Sequence, residues 1–199
     1  MTTTDGAATD GVARRAAAIL LRPRRTWARI AAEQTRVRAI FVGYVMVLGA
    51  INPICFTIGR LVFGERVLGA VYRPPVIAAV IEALISYLLI LAFVFALAFF
   101  IWFFARLFGA SRDRLAVFKV AAYAGTGGWA ASVFYLVPVI QPLAIVGQLY
   151  TLYLLYSGVR IVLHPPGKRT LSYVALVVVC YVVLMMLVIS LTKLLAALL

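Results

Sequence analysis

Residues 76–105 read VIAAVIEALISYLLILAFVFALAFFIWFFA, thirty positions with a single charge, Glu82. An α-helix crosses the hydrocarbon core of a bilayer with about 20 apolar residues, because all its backbone polar groups are paired within the segment. At ~1.5 Å per residue this stretch is ~45 Å long, against a core of ~30 Å, so it predicts a helix that tilts or protrudes. Trp102, Phe103 and Phe104 just before Arg106 are an aromatic belt at the membrane surface. Working outward, similar runs at 37–58, 115–137, 143–163 and 171–192 predict four further spans. The expected fold is all-α: a polytopic membrane protein with five transmembrane helices in one domain (37–199), behind an N-terminal amphipathic interfacial segment (12–36). Residues 1–11 are small and polar and are expected to be disordered.

Composition agrees with this reading. The chain is 65% hydrophobic and 13% charged, with a mean hydropathy of +1.08, whereas soluble domains carry about 25% charge. The net charge of +13 belongs to membrane flanks, which excludes a nucleic-acid partner: the arginines adjoin spans and no nucleic-acid-binding module is present. Counted over five spans, 15 of the 19 basic residues fall on the side of the N-terminus and 4 on the other. The positive-inside rule then predicts a cytoplasmic N-terminus and an external C-terminus. The N-terminal stretch lacks a continuous apolar core after its arginines and is not read as a secretory signal. Cys55 and Cys180 both lie in apolar runs, as packing residues rather than a disulfide framework.

In the 12–36 segment, Pro23 suits the first turn of a second helix. Trp27, Ile30, Ala31 and Gln34 share one face of that helix. Arginines surround the stripe, so Arg22, Arg24, Arg25, Trp27 and Arg29 are candidate contacts for anionic lipid headgroups. The alternative is a cytoplasmic cap packed on the bundle.

Polar residues at membrane depth are expensive, ~2.5–3.5 kcal/mol for a charge at a helix centre, and each is a candidate site. Glu82 leads, with Lys193, Arg60 and Arg73 at the same end as ion-pair partners; the alternatives are a protonated, unpaired Glu82 and a proton- or cation-coupled site. Asn52 precedes Pro53 and predicts a kink or break in the first span. Gly125-Thr126-Gly127-Gly128 lowers helix propensity in the third, with Tyr123, Thr126 and Trp129 around it. That stretch is either close helix packing or an unwound ligand-facing segment. Gln148 pairs with a neighbouring helix or faces water, and Tyr150, Tyr153 and Tyr156 form a packing stripe. His164 is the only histidine, and no metal, cofactor or nucleophile–base motif accompanies it, so no enzyme activity is expected.

Three runs carry a family resemblance: LLRPRRTWARIAAE at 20–33, FKVAAYAGTGGWAASVFYLVP at 118–138, and IVGQLYTLYLLYSGV at 145–159 before a Pro-Gly-Lys turn. Over roughly residues 20–190 the chain resembles the bacterial branch of the Ypt-interacting-protein (Yip-one domain) family of membrane proteins. Where such members often have Thr-Pro, this chain has Thr126-Gly127. The resemblance implies five spans with a cytosolic N-terminus and a bacterial inner-membrane location, and no established activity. The GTPase binding of eukaryotic relatives does not carry over, because their long cytosolic domain and its Asp-Leu-Tyr-Gly-Pro motif are missing. The functional expectation is a non-catalytic scaffold or adaptor for membrane proteins or lipids, with homo-oligomerisation open to it. A small transporter or channel is the alternative.

Overall fold

The computed structural model describes residues 11–67 and 70–197, so the N-terminal stretch expected to be disordered lies outside the described residues apart from Gly11. Two short helices, α1 (Val12–Leu21) and α2 (Pro23–Ala32), come first. The Thr26 hydroxyl donates to the Ala18 carbonyl and Arg15 pairs with Glu33, so the two run antiparallel as a hairpin with its elbow at Arg22. Pro23 occupies the first turn of α2, where its missing N–H removes no helical bond.

Helix α3 (Val37–Phe63) contains a π-helical turn at Phe41–Val45 and a turn at Ala50. The second irregularity lies just before Asn52-Pro53, where proline withholds a backbone donor. A two-stranded antiparallel ribbon, β1 (Glu65–Val67) with β2 (Ala70–Tyr72), leads to α4 (Val76–Phe108). Gly109, at φ 67°, closes α4 in the left-handed conformation that glycine adopts without strain.

The third predicted span is helical but not one helix. It comprises α5 (Arg114–Ala124), α6 (Thr126–Ala131) and a 3₁₀ stretch, Ser132–Leu136. Asp113 caps α5 by accepting from the backbone N–H groups of Leu115 and Ala116. Helices α7 (Ala144–Val162) and α8 (Thr170–Ala197) complete the bundle. Among the described residues four helices are long and apolar enough to cross a membrane: α3, α4, α7 with its preceding turn, and α8. The α5–α6 stretch falls outside that set because its helix is interrupted at Gly125.

The core is drawn from nearly every helix: Ile19, Trp27, Val45, Leu97, Ile101, Leu154, Leu155 and Tyr173 are fully enclosed. The outside is apolar as well. Ile77, Leu84, Leu88, Phe99 and Phe103 on α4 and Val179, Val183 and Met186 on α8 are exposed. An exposed apolar surface of this kind is what lipid solvates. The chain is a multi-pass membrane protein.

Candidate functional site

Three polar groups of residues occupy different places in the bundle. The first joins the N-terminal hairpin to α5. Lys119, only 3% exposed, donates from Nζ to the carbonyls of Ile30 (2.7 Å) and Glu33 (2.6 Å). These acceptors lie at the C-terminal end of α2, where carbonyls lack helical partners and attract a cation. Arg15 makes two bonds to the Glu33 carboxylate, at 2.7 and 2.8 Å, and a third to the Tyr123 hydroxyl at 3.0 Å. Burial works against the Arg15 charge, but Glu33 and Tyr123 outweigh it and hold its pKa above the ordinary arginine value.

Tyr123 stacks at a tilt on Tyr44, with centroids 4.6 Å apart. The Thr126 hydroxyl spends its one proton on the Tyr123 carbonyl (2.7 Å), so the Tyr44 hydroxyl is the donor in their 2.7 Å bond.

The second group holds the glycine-rich stretch. Gly128 N–H donates to Thr151 Oγ1 (2.8 Å), which donates onward to the Gly147 carbonyl (3.1 Å). Ser132 Oγ donates to the Gly128 carbonyl and accepts from Asn52 Nδ2, both at 2.9 Å. A Cβ at Gly127 would stand 2.9 Å from the Gly147 carbonyl oxygen, and one at Gly147 would stand 2.6 Å from that of Gly127. Helices α6 and α7 therefore cross at backbone contact, the arrangement that small residues permit. Of the two sequence readings, close packing describes this stretch. The Trp129 ring lies against Gly125, and Gln148 Oε1 accepts from the Tyr181 hydroxyl at 2.8 Å, linking α7 to α8.

The third group is at the opposite end of the bundle from the Lys119 cluster. Glu82 accepts from Arg60 Nη1 at 2.6 Å, joining α4 to α3. Arg60 Nε also lies 3.0 Å from a Glu65 oxygen, too poorly aligned for a hydrogen bond. Lys193, a second sequence candidate for pairing with Glu82, is exposed on α8 and forms no ion pair with it. Beside Arg60 a cleft of about 620 Å³ opens between α3, the ribbon and the turn after the 3₁₀ stretch. Phe56, Phe63, Tyr135, Glu65 and Gln141 line it.

The five residues expected at lipid headgroups separate. Arg22, Arg24, Arg25 and Arg29 are exposed, whereas Trp27 is fully enclosed. Its ring lies 2.8 Å from where a Cβ of Gly158 would be, and edge-on to Tyr123 at 6.4 Å. Trp27 and Ile30 of the α2 stripe thus face the bundle, with Trp27 against α7, whereas Ala31 and Gln34 of the same stripe are exposed. Close helix contact over Gly158 leaves the Trp27 Nε1 proton without an acceptor among the described residues.

Sequence reading missed Arg15, Glu33, Lys119, Tyr44 and Ser132. Lys119 lies in VFKVAAYA, four residues inside an apolar run, and that position is the signal in the sequence that it is enclosed.

No curated protein and no solved structure matches the chain. The family model of the Yip1 domain matches residues 17–189, from within α1 through most of α8, and it takes in the second and third polar groups whole and all of the first but Arg15. The chain belongs to the Yip1 domain family of membrane proteins.

Proposed function

We propose that the protein is a non-catalytic scaffold of the bacterial cytoplasmic membrane, with the α5–α6 stretch as a fifth span. In this reading the N-terminal hairpin enters the bundle from the cytoplasmic side, the basic loops are cytoplasmic, the C-terminus is external, and the chain organises lipids or other membrane proteins, itself included. The observation that carries it is the use of the costly polar groups: Glu82 is taken by Arg60, Asn52 by Ser132, Thr126 by Tyr44 and Gln148 by Tyr181. A coupled transporter keeps such groups facing a pathway. Here they tie helices together, which favours a rigid body with an apolar outer face.

The cleft beside Arg60 favours a second reading, a small transporter or channel, since it combines aromatic walls with a charged residue. Glu82→Gln separates the two. For the scaffold, the substitution lowers the thermal midpoint in detergent by roughly 3–6 °C, from about 1.5 kcal/mol for a charge-assisted bond. Ion and proton flux in liposomes then stay at the protein-free level for both proteins. Flux through wild type that Glu82→Gln abolishes would instead establish transport.

A further inference from the structure

The hairpin elbow reaches much deeper than a surface cap. Tyr150 on α7 donates to the Leu20 carbonyl at 2.6 Å, and Tyr153 lines an open groove of about 460 Å³ with Arg22, Pro23, Arg24 and Arg25. Tyr153 is the middle residue of α7, nine residues from either end of a helix of 19. At ~1.5 Å per residue the elbow therefore stands ~14 Å from each end of α7. Helix α1 runs in towards this point and α2 runs back out, ending where Lys119 holds the carbonyls of Ile30 and Glu33. Leu21 at the tip is 80% exposed. Among the described residues no carboxylate lines the groove and none pairs with Arg22, Arg24 or Arg25.

Three exposed guanidiniums half-way along a membrane helix cannot face acyl chains, given the cost of even one charge at that depth. A phosphodiester meets the need: guanidiniums bind its oxygens in pairs, and each contact is strengthened where water is scarce. We propose that the elbow of the α1–α2 hairpin holds the phosphate of an anionic phospholipid below the headgroup plane, drawing down the leaflet on that side. The groove supplies Arg22, Arg24 and Arg25 as cations and the Tyr153 hydroxyl as a neutral donor, and the acyl chains lie along the exposed apolar flank. This inference rests on reading α7 as a span.

The test uses the full chain in nanodiscs of phosphatidylcholine with phosphatidylglycerol, read by native mass spectrometry for retained lipid. Wild type retains phosphatidylglycerol in preference to phosphatidylcholine, a comparison that needs no variant. The triple variant Arg22→Gln, Arg24→Gln, Arg25→Gln binds it about a hundredfold more weakly, close to 1 kcal/mol per arginine. A control that removes equal charge elsewhere, Arg36→Gln, Arg38→Gln, Arg106→Gln, keeps wild-type retention. Water alone in the groove would leave wild type without a lipid preference and overturn the proposal. Equal loss in the control would overturn it as well, by making the attraction a matter of net charge. Displacement by glycerol 3-phosphate would reassign the groove to a free anion.

Depth is read from a fluorescent residue encoded at Leu21, which spin labels at mid-chain quench if the elbow is inserted. Quenching by headgroup labels alone would overturn the deep placement. The span premise is checked apart from this. Cysteines at Val139 and His164, with Cys55 and Cys180 replaced by serine, react with an impermeant maleimide from opposite sides if α7 crosses. Labelling from one side would remove the premise while leaving the lipid-retention result to stand or fall separately.

Discussion

Gly147→Ala lowers the thermal midpoint of the detergent-solubilised protein by roughly 6–12 °C, the equivalent of about 3 kcal/mol in a chain of this size. The added methyl has nowhere to go. It would collide with the Ala131 side chain and sit 2.6 Å from the Gly127 carbonyl oxygen, and neither can rotate away. Helices α6 and α7 must move apart, which also strains the bonds from Gly128 N–H to Thr151 and from Thr151 to the Gly147 carbonyl. Gly43→Ala is the matched control, since a Cβ there meets no atom within 4 Å. The control stays within about 2 °C of wild type, because an alanine without clashes is neutral or favourable in a helix. Equal midpoints for the two variants would mean that the crossing is not at backbone contact.

Lys119→Met releases the N-terminal hairpin while the spans remain folded. Methionine fills the space of the lysine stem, and it suits a membrane helix better than lysine does. It leaves the carbonyls of Ile30 and Glu33 without their donor, at about 1–3 kcal/mol for each. A loss of about 2–6 kcal/mol in docking speeds hydrogen exchange across residues 12–32 by roughly thirtyfold to on the order of ten-thousandfold. Trypsin then cuts at the elbow arginines, and Trp27 emission shifts towards that of a hydrated indole. Lys193→Met leaves exchange in 12–32 unchanged, because that lysine is exposed on α8. A hairpin that stays protected in Lys119→Met would show that its apolar stripe alone holds it.

The long helices were legible because hydrophobic length is a one-dimensional property. The helices at 76–108 and 144–162 begin and end within about three residues of the predicted limits. The third stretch was harder, since a run of apolar residues does not reveal whether a glycine bends the helix. Gly125-Thr126-Gly127-Gly128 gave the place of the irregularity, but not that Gly147 from another helix would pack on Gly127. Glu82 and its partner Arg60 were both visible as candidates, and only the fold selects Arg60 over Lys193. The Trp27 stripe marked an amphipathic helix correctly. Its target, lipid or protein, depends on Gly158 in α7, and no local pattern connects the two. The partners of Lys119 at the end of α2 and of Arg15 on Tyr123 were hidden for the same reason, because they lie 86 to 108 residues away in sequence.

That separation has a consequence for how the protein is made. The hairpin leaves the ribosome before the helices it packs on, and Tyr150, which donates to the Leu20 carbonyl, follows 130 residues later. At a synthesis rate of about 5–20 residues per second, the elbow waits roughly 6–26 s for its seat. Through that interval an arginine-rich segment bearing a bare tryptophan stripe stays outside the growing bundle, while the spans of α3 and α4 enter the bilayer ahead of it. The hairpin thus gains its full seat only once α7 has been made, so a ribosome halted before α7 leaves the hairpin accessible to proteases and chaperones, a signal that assembly is unfinished.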